Sequence, residues 1–382
     1  MYCELCKVVM MKEKKHKILF CMHMPPPVHG AAVVGQQIYE SQLIRDSYEC
    51  SYINVSTSAS LDDVGRFFIK KITRTLAFYR QVLSAVKKER PELVYFTPST
   101  SGWAFYRDVI TIRLLRNRKQ NIVLHLHNKP TNAFLHKWYN RCFWRSFFYG
   151  VSAIFLGNAL AKQLEAFTPL CKHVFICPNG MPDKAGSVHK KGNDTNRPFT
   201  FLFLSNMIET KGVYVLLEAC ALLKQKGYTF CCNFVGQWFD VTKEAFKAKC
   251  AQLGITDCVL AHGAKYGTEK DEFILTADTL VFPTFYSAET FGLVILEAMQ
   301  YALPVISTNE AAIPDIIEDG ETGWIVEKQN ACALAEKMEW LIEHPQESIR
   351  MGQAGRKRYE QYYIIEHFER RVREILLHCI GC

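Results

Sequence analysis

Residues 199–235 read FTFLFLSNMIETKGVYVLLEACALLKQKGYTFCCNFV, and the three parts of this stretch decide the fold class. The run 199–205 is apolar and rich in β-formers. Val213, Leu216, Leu217, Cys220 and Leu223 follow at helical spacing, and 229–235 is a second apolar run. A strand, a helix and a strand of these lengths make a βαβ unit, whose crossover helix covers one face of a parallel sheet. The alternation continues through strands predicted at 258–262, 279–283, 304–308 and 324–326. Upstream it recurs less regularly. Strands are predicted there at 17–22, 51–55, 93–96, 122–126, 153–156 and 173–177, with helices near 31–44, 62–88, 103–117 and 132–149.

At 382 residues the chain exceeds what one hydrophobic core supports, so two domains are expected. The polar, aperiodic stretch 184–198 (KAGSVHKKGNDTNRP) is the best linker. It separates an α/β unit at 1–183 from a second at 199–359, each doubly wound and Rossmann-like. The segment 345–382 is helical with no strand after it, and either finishes the second unit or braces the first. Ligands of open parallel sheets bind at the carboxyl ends of the strands, so a cleft between the two units is the expected site.

Composition narrows the class. Hydrophobic residues make up 49% and charged residues 22%, the balance of a globular protein rather than a disordered one. No apolar run reaches about 18 residues, so no spanning helix is expected. The basic stretch 12–17 gives way to only 18–24 before three prolines, which reads as a first strand and not a signal peptide. The 15 cysteines are odd in number and lie in apolar runs, which suits reduced thiols in a cytoplasmic protein. Cys3 and Cys6 have metal-ligand spacing, but only Cys21 and His23 stand near in sequence to complete a set, and no metal is expected. Residues 1–183 hold 25 Lys and Arg against 12 Asp and Glu, whereas 184–382 hold 21 against 26. The basic first half suits a polyanion or an anionic membrane surface. No nucleic-acid recognition motif accompanies it.

Chemistry concentrates in residues 287–299, SAETFGLVILEAM. A helix over 290–302 has almost no polar face and is expected to be buried, yet it contains Glu297, with Glu289 just before it. A buried carboxylate is costly unless given donors, and the hydroxyl pair of a ribose is a fitting donor set. Phe291, Gly292 and Leu293 present free N–H groups at the helix start, a ready anion site. A carboxylate, an anion hole and a second carboxylate together suit a diphosphate flanked by hydroxylated rings. Lys211-Gly212 opens the helix after strand 199–205 and offers a second anion contact, with Gly212 giving room. In the first half, Gly30 borders a helix start after three prolines. His125 and His127 share a face at the end of strand 122–126, with His127 at the ligand edge. Pro178-Asn179-Gly180 reads as a turn.

With these residues in place, the run PTFYSAETFGLVILEAMQYALPVISTN…IPDIIEDGETGWIV over 283–326 resembles the donor signature of glycosyltransferase family 4, retaining enzymes of the GT-B fold. The hallmark Glu, seven residues, Glu is matched by Glu289 and Glu297, and Lys211, His127, Gly30 and Pro178-Asn179-Gly180 follow the family's order. The resemblance implies a hexosyl-type transfer from a UDP- or GDP-linked sugar. No Asp-x-Asp cluster stands near the donor motif, so no metal or other cofactor is expected. The resemblance also implies that Glu289 faces the donor sugar, Glu297 holds the ribose, and His127 contacts the transferred sugar. Lys211 and the N–H groups of Phe291, Gly292 and Leu293 would hold the diphosphate. Gly30 would border the phosphates, the segment containing Ala264 and Tyr266 would lie near the base, and the last helix, about 360–382, would cross back to the first unit. The family usually has an Arg where this chain has Asn206, and a Gly pair where it has Ala311-Ala312.

The implied chemistry is front-side attack with retention, in cell-surface polysaccharide synthesis, on a glycan or lipid-linked acceptor. A nucleotide-sugar epimerase or hydrolase of the same fold, and a noncatalytic partner in glycan assembly, remain alternatives. Residues 65–90 and 134–149 combine basic and apolar side chains, including Trp138, Phe143, Trp144, Phe147 and Phe148. Such surfaces suit peripheral attachment at the inner face of a membrane.

Overall fold

The computed structural model describes residues 15–26, 30–55, 68–186 and 197–381. Among them are two six-stranded sheets in which every neighbouring pair is parallel. The first contains β1 (His16–Met22), β2 (Tyr48–Asn54), β3 (Leu93–Phe96), β4 (Asn121–Leu126), β5 (Ser152–Phe155) and β6 (His173–Ile176), in the order β2-β1-β3-β4-β5-β6. The second contains β7 (Phe199–Leu204), β8 (Phe230–Val235), β9 (Val259–Ala261), β10 (Thr279–Phe282), β11 (Val305–Thr308) and β12 (Gly323–Val326), in the order β12-β11-β10-β7-β8-β9. Helices cover both faces of each sheet, so the central strands are apolar runs instead of alternating; Ile18 to Met22 are all buried.

All twelve predicted strands are present. β2 starts at Tyr48 rather than 51, because Tyr48 is buried and its hydroxyl donates to the Arg373 carbonyl at 2.7 Å. That partner is far away in sequence. Two predicted helices are broken. The first runs Gly30–Glu40 and restarts as Gln42–Ser47, because Ser41 leaves helical geometry and its hydroxyl caps Ile44 N–H. The other divides into Asn132–Leu135 and Asn140–Phe148, with Asn140 Nδ2 donating back to the Phe134 carbonyl at 2.7 Å. Trp144, Phe147 and Phe148 of this second piece are core residues, not surface ones. The helix predicted at 62–88 is seen as Phe68–Glu89, and its expected start at 62 lies outside the described residues.

The chain ends in two helices, Pro345–Tyr362 and Ile365–Ile380. The first stays with the second sheet. The final one lies on the first sheet, where Phe368, Val372 and Leu376 pack with Phe20, Leu93, Tyr95, Val123 and Ile154. The two passages of chain between the sheets are bonded to each other. Met181 N–H donates to the Tyr363 carbonyl at 2.9 Å, and the Tyr359 hydroxyl donates to the Met181 carbonyl at 2.7 Å. Arg356 grips Asp183 through both nitrogens at 2.9 and 2.6 Å.

Gly180 lies where these passages touch. A Cβ there would meet Phe368 Cβ at 2.6 Å and the Ile364 carbonyl oxygen at 2.8 Å. Neither neighbour is the flexible end of a side chain. Gly180→Ala is expected to destabilise the protein by about 1–3 kcal/mol, the usual cost of overpacking. Urea unfolding checks this, and an unchanged midpoint would contradict the close packing.

Candidate functional site

Each sheet has one place where successive strands depart in opposite directions, β1/β3 in the first and β7/β10 in the second. Ligands of open sheets bind outside the carboxyl ends at such points. The loop after β7 carries Asn206 and Lys211, and the loop after β10 carries Glu289. The two loops are joined: Phe285 N–H donates to the Thr210 carbonyl at 2.8 Å. Gly212 makes the join possible. It has a φ of 93°, and a Cβ there would stand 2.3 Å from the Pro283 carbonyl oxygen. The space at Gly212 is therefore filled by the neighbouring loop, which corrects the expectation that it leaves room for a ligand.

Lys211 Nζ and Glu289 Oε2 are 2.5 Å apart, and both side chains are largely buried. Glu289 is only 9% exposed, and its other oxygen accepts from Thr290 N–H at 3.2 Å. The ammonium also lies 4.6 Å from the centre of the Tyr286 ring and 5.4 Å from that of Phe282. Cation–π contact and the carboxylate together hold a charge that would otherwise be costly to desolvate.

The helix after Glu289 is Leu293–Gln300, shorter than the expected 290–302. Gly292, with a φ of 81°, turns the chain through left-handed geometry immediately before it. Phe291 is buried and packs edge-on to Tyr363, so its side chain anchors the turn. The backbone donors of the first turn remain as the helix's positive end. A Cβ on Gly30 would lie 3.9 Å from Leu293 Cδ1. The start of helix Gly30–Glu40 in the first sheet's layer thus meets the start of Leu293–Gln300 in the second.

Glu297 departs from expectation. It is half-buried, and Lys270 Nζ donates to its carboxylate at 2.8 Å. The carboxylate stands at a rim, against a lysine from helix Gly267–Thr276. Ala264 and Tyr266, both exposed, precede that helix. Their loop is tied to the loop after β8, since Gly236 N–H donates to the Gly263 carbonyl at 2.9 Å. Asn206 is exposed beside the same edge, and Gly236 abuts the Ser205 carbonyl.

On the first sheet, His125 and His127 have ring centres 4.0 Å apart, as alternation along β4 requires. The Tyr95 hydroxyl lies 2.5 Å from His125 Nδ1. Burial, reinforced by His127, pushes the His125 pKa well below its usual value, so this ring is neutral and shares one hydrogen bond with Tyr95. His127 is 5% exposed at the strand's ligand end.

Sequence reasoning missed the residues that join the two walls. Lys129, just beyond His127, pairs with Glu310 after β11, and Lys328 bonds the other Glu310 oxygen at 2.8 Å. Burial would raise the Glu310 pKa, but the two lysines outweigh it and hold the carboxyl below its usual range. Asp315 receives Ala159 N–H and Asn158 Nδ2, each at 3.3 Å, from the helix after β5. A Cβ on Gly157 would collide with Asp315. Glu310 and Asp315 lie inside the signature stretch, but their partners on the first wall, Lys129, Asn158 and Ala159, are more than a hundred residues away. Cys3 and Cys6 fall outside the described residues, and among those described no three His, Cys, Asp or Glu gather as a metal site.

Residues 187–358 match the family described as Glycosyl transferases group 1. The amylovoran biosynthesis glycosyltransferase AmsK of Erwinia amylovora is 29% identical over 185 residues, which cover 47% of this chain and 45% of that protein. The capsular polysaccharide biosynthesis glycosyltransferase CapM of Staphylococcus aureus is 32% identical over 177 residues, 46% of this chain and 44% of that one. The chain thus aligns with less than half the length of these relatives. The crystal structure of Anabaena Alr3699/HepE in complex with UDP and glucose is 17% identical, with a TM-score of 0.67 over 94% of this chain and 99% of that one. The chain has the GT-B fold along nearly its whole length, and residues 187–358 carry the group 1 glycosyl transferase pattern.

Proposed function

We propose that the protein is a retaining glycosyltransferase that moves a hexosyl group from a UDP- or GDP-linked sugar to a glycan or lipid-linked acceptor. The observation that carries this reading is the Lys211–Glu289 pair, set beside two helix starts that meet across the two sheets' switch points. Two helix dipoles and an ammonium suit a diphosphate, and a carboxylate beside them suits sugar hydroxyls. Glu297 would receive the ribose hydroxyls, with Lys270 as its partner when the site is unliganded. Ala264, Tyr266 and Asn206 would border the nucleotide. His127 would meet the sugar from the first wall. The relatives' roles in amylovoran and capsular polysaccharide biosynthesis support a cell-surface polysaccharide as the product class.

In the proposed reaction the acceptor oxygen bonds to the anomeric carbon on the face from which the diphosphate leaves. The carbon–oxygen bond to phosphate breaks, and the acceptor's proton passes to the departing phosphate oxygen. The products are the glycoside and a nucleoside diphosphate. The protein's part is to position both substrates and stabilise the charge that grows on the leaving group. Lys211 has that task, together with the N–H groups of Gly292 and Leu293. Asn206 adds a hydrogen-bond donor without a charge.

Lys211→Ala is expected to lower kcat by about 10²–10³, the range for losing one preorganised donor, and Glu289→Gln, which removes the carboxylate charge from the site, by a similar factor. Their folds should persist, because Gln can still accept from Thr290 N–H and a shortened Lys211 leaves Glu289 that donor. Measuring nucleoside diphosphate release with and without acceptor, beside urea midpoints, checks this. Near-normal rates in both variants would contradict the assignment, and equal release without acceptor would favour a hydrolase. Chelation with EDTA should leave the rate unchanged, since Lys211 and the helix starts take the role of a divalent ion. A rate that collapses with EDTA and returns with magnesium would overturn that part.

A further inference from the structure

The helices on the outer side of the first sheet carry a charge pattern for which the transfer reaction has no use. Between Asp108 and Glu165 the chain has no acidic residue and nine Lys and Arg. Asp108 itself is fully buried, 2.7 Å from Arg107. Helices Gly102–Asn117 and Asn140–Phe148 lie side by side. The Tyr106 hydroxyl donates to Asn140 Oδ1 at 2.7 Å, and Arg116 donates to the carbonyls of Ser146 and Tyr149 at 3.0 and 2.8 Å. Phe105, Ile112, Trp144 and Phe147 fill the interior between these helices and the sheet. The outward positions are basic: Arg113, Arg118, Lys119, Lys137, Arg141 and Arg145 are all exposed.

Large aromatic rings stand among these cations. Trp138 is 83% exposed, Tyr149 60% and Tyr139 41%. Trp138 and Tyr139 directly precede Asn140, on the connection that leaves the carboxyl end of β4 and already carries His127 and Lys129. The aromatic edge of the basic face therefore borders the first wall of the cleft. A soluble polyanion would engage the cations and leave the indole in water. An anionic bilayer uses both, since Trp and Tyr rings settle at headgroup depth while Lys and Arg are drawn to the surface charge.

We propose that this face docks the protein on an anionic lipid bilayer, with Trp138 and Tyr139 at headgroup depth and Lys137, Arg141 and Arg145 on the lipid phosphates. No helix among the described residues is long and apolar enough to cross a membrane, so the attachment is peripheral. The cleft mouth then lies beside the headgroups. The surface differs from the one expected from sequence, because Trp144, Phe147 and Phe148 are spent in the core.

The test is flotation of the full chain with vesicles of phosphatidylglycerol and phosphatidylcholine, against vesicles of phosphatidylcholine alone, at low and high salt. No nucleotide is needed, so the outcome is independent of the transferase reading. The protein should float with the anionic vesicles only and be released by salt. Arg141→Gln/Arg145→Gln should weaken binding about thirtyfold, the factor for two cations near the surface. Trp138→Ser should also weaken binding to the anionic vesicles at low salt, because the indole no longer enters the headgroup layer. Both variants alter exposed side chains, and unchanged urea midpoints would confirm their folds. Equal binding to neutral vesicles, no binding to anionic ones, or parental binding by both variants would overturn the proposal. So would binding to soluble polyphosphate without vesicle flotation.

Discussion

Two sheets can share a ligand only if their carboxyl edges are held facing each other, and here one helix does this. Ile365–Ile380 follows the second sheet in the chain but is built into the first sheet's core through Phe368, Val372 and Leu376. Each such side chain contributes about 1.5–3 kcal/mol by burial, so undocking the helix would strip a large share of that core. The chain consequently passes between the two layers twice, and the Met181–Tyr363 and Asp183–Arg356 contacts bond one passage to the other. The approach of Gly30 to Leu293 depends on this arrangement.

The cleft is also joined by charge. Lys129 and Lys328 share Glu310, Lys211 holds Glu289, and Lys270 holds Glu297. Glu310 can neutralise only one of its two lysines, and the opposed helix starts add positive potential. The surplus lysine charge at Glu310 and the helix starts favour an anion between the walls, although residues 184–382 as a whole are acidic. Overall charge and site charge are separate quantities, and the lysines at the strand ends set the second.

The strands were legible because a strand buried on both faces is a short, unbroken apolar run between turn residues. The loops bearing Lys211, Glu289 and His127 were legible for the same reason, since strand ends locate them. Side-chain surroundings were less so. Glu297 looked buried because its own helix is apolar, but Lys270, 27 residues earlier, opens that face to a partner. Gly212 looked like space for a ligand until Pro283 filled it. The helix start moved to Leu293 because a left-handed Gly292 cannot be recognised from hydrophobic spacing. Ala311 has a φ of 50°, a geometry that favours glycine, where the resembling family has a glycine pair. Its neighbour Ala312 donates to the Thr290 carbonyl at 3.1 Å, so the strained turn abuts the Glu289 loop.

The central claim is that the two helix starts and Lys211 form one nucleoside diphosphate site. Thermal unfolding of the native chain with UDP, GDP, ADP and the corresponding nucleotide sugars tests it most directly. A ligand bound only by the folded state adds about 2.7 kcal/mol of stability at a hundredfold excess over Kd. The account predicts a raised Tm with UDP or GDP and their sugars, and no such rise for Lys211→Ala. An unchanged Tm with every nucleotide, or an equal rise in the variant, would contradict it.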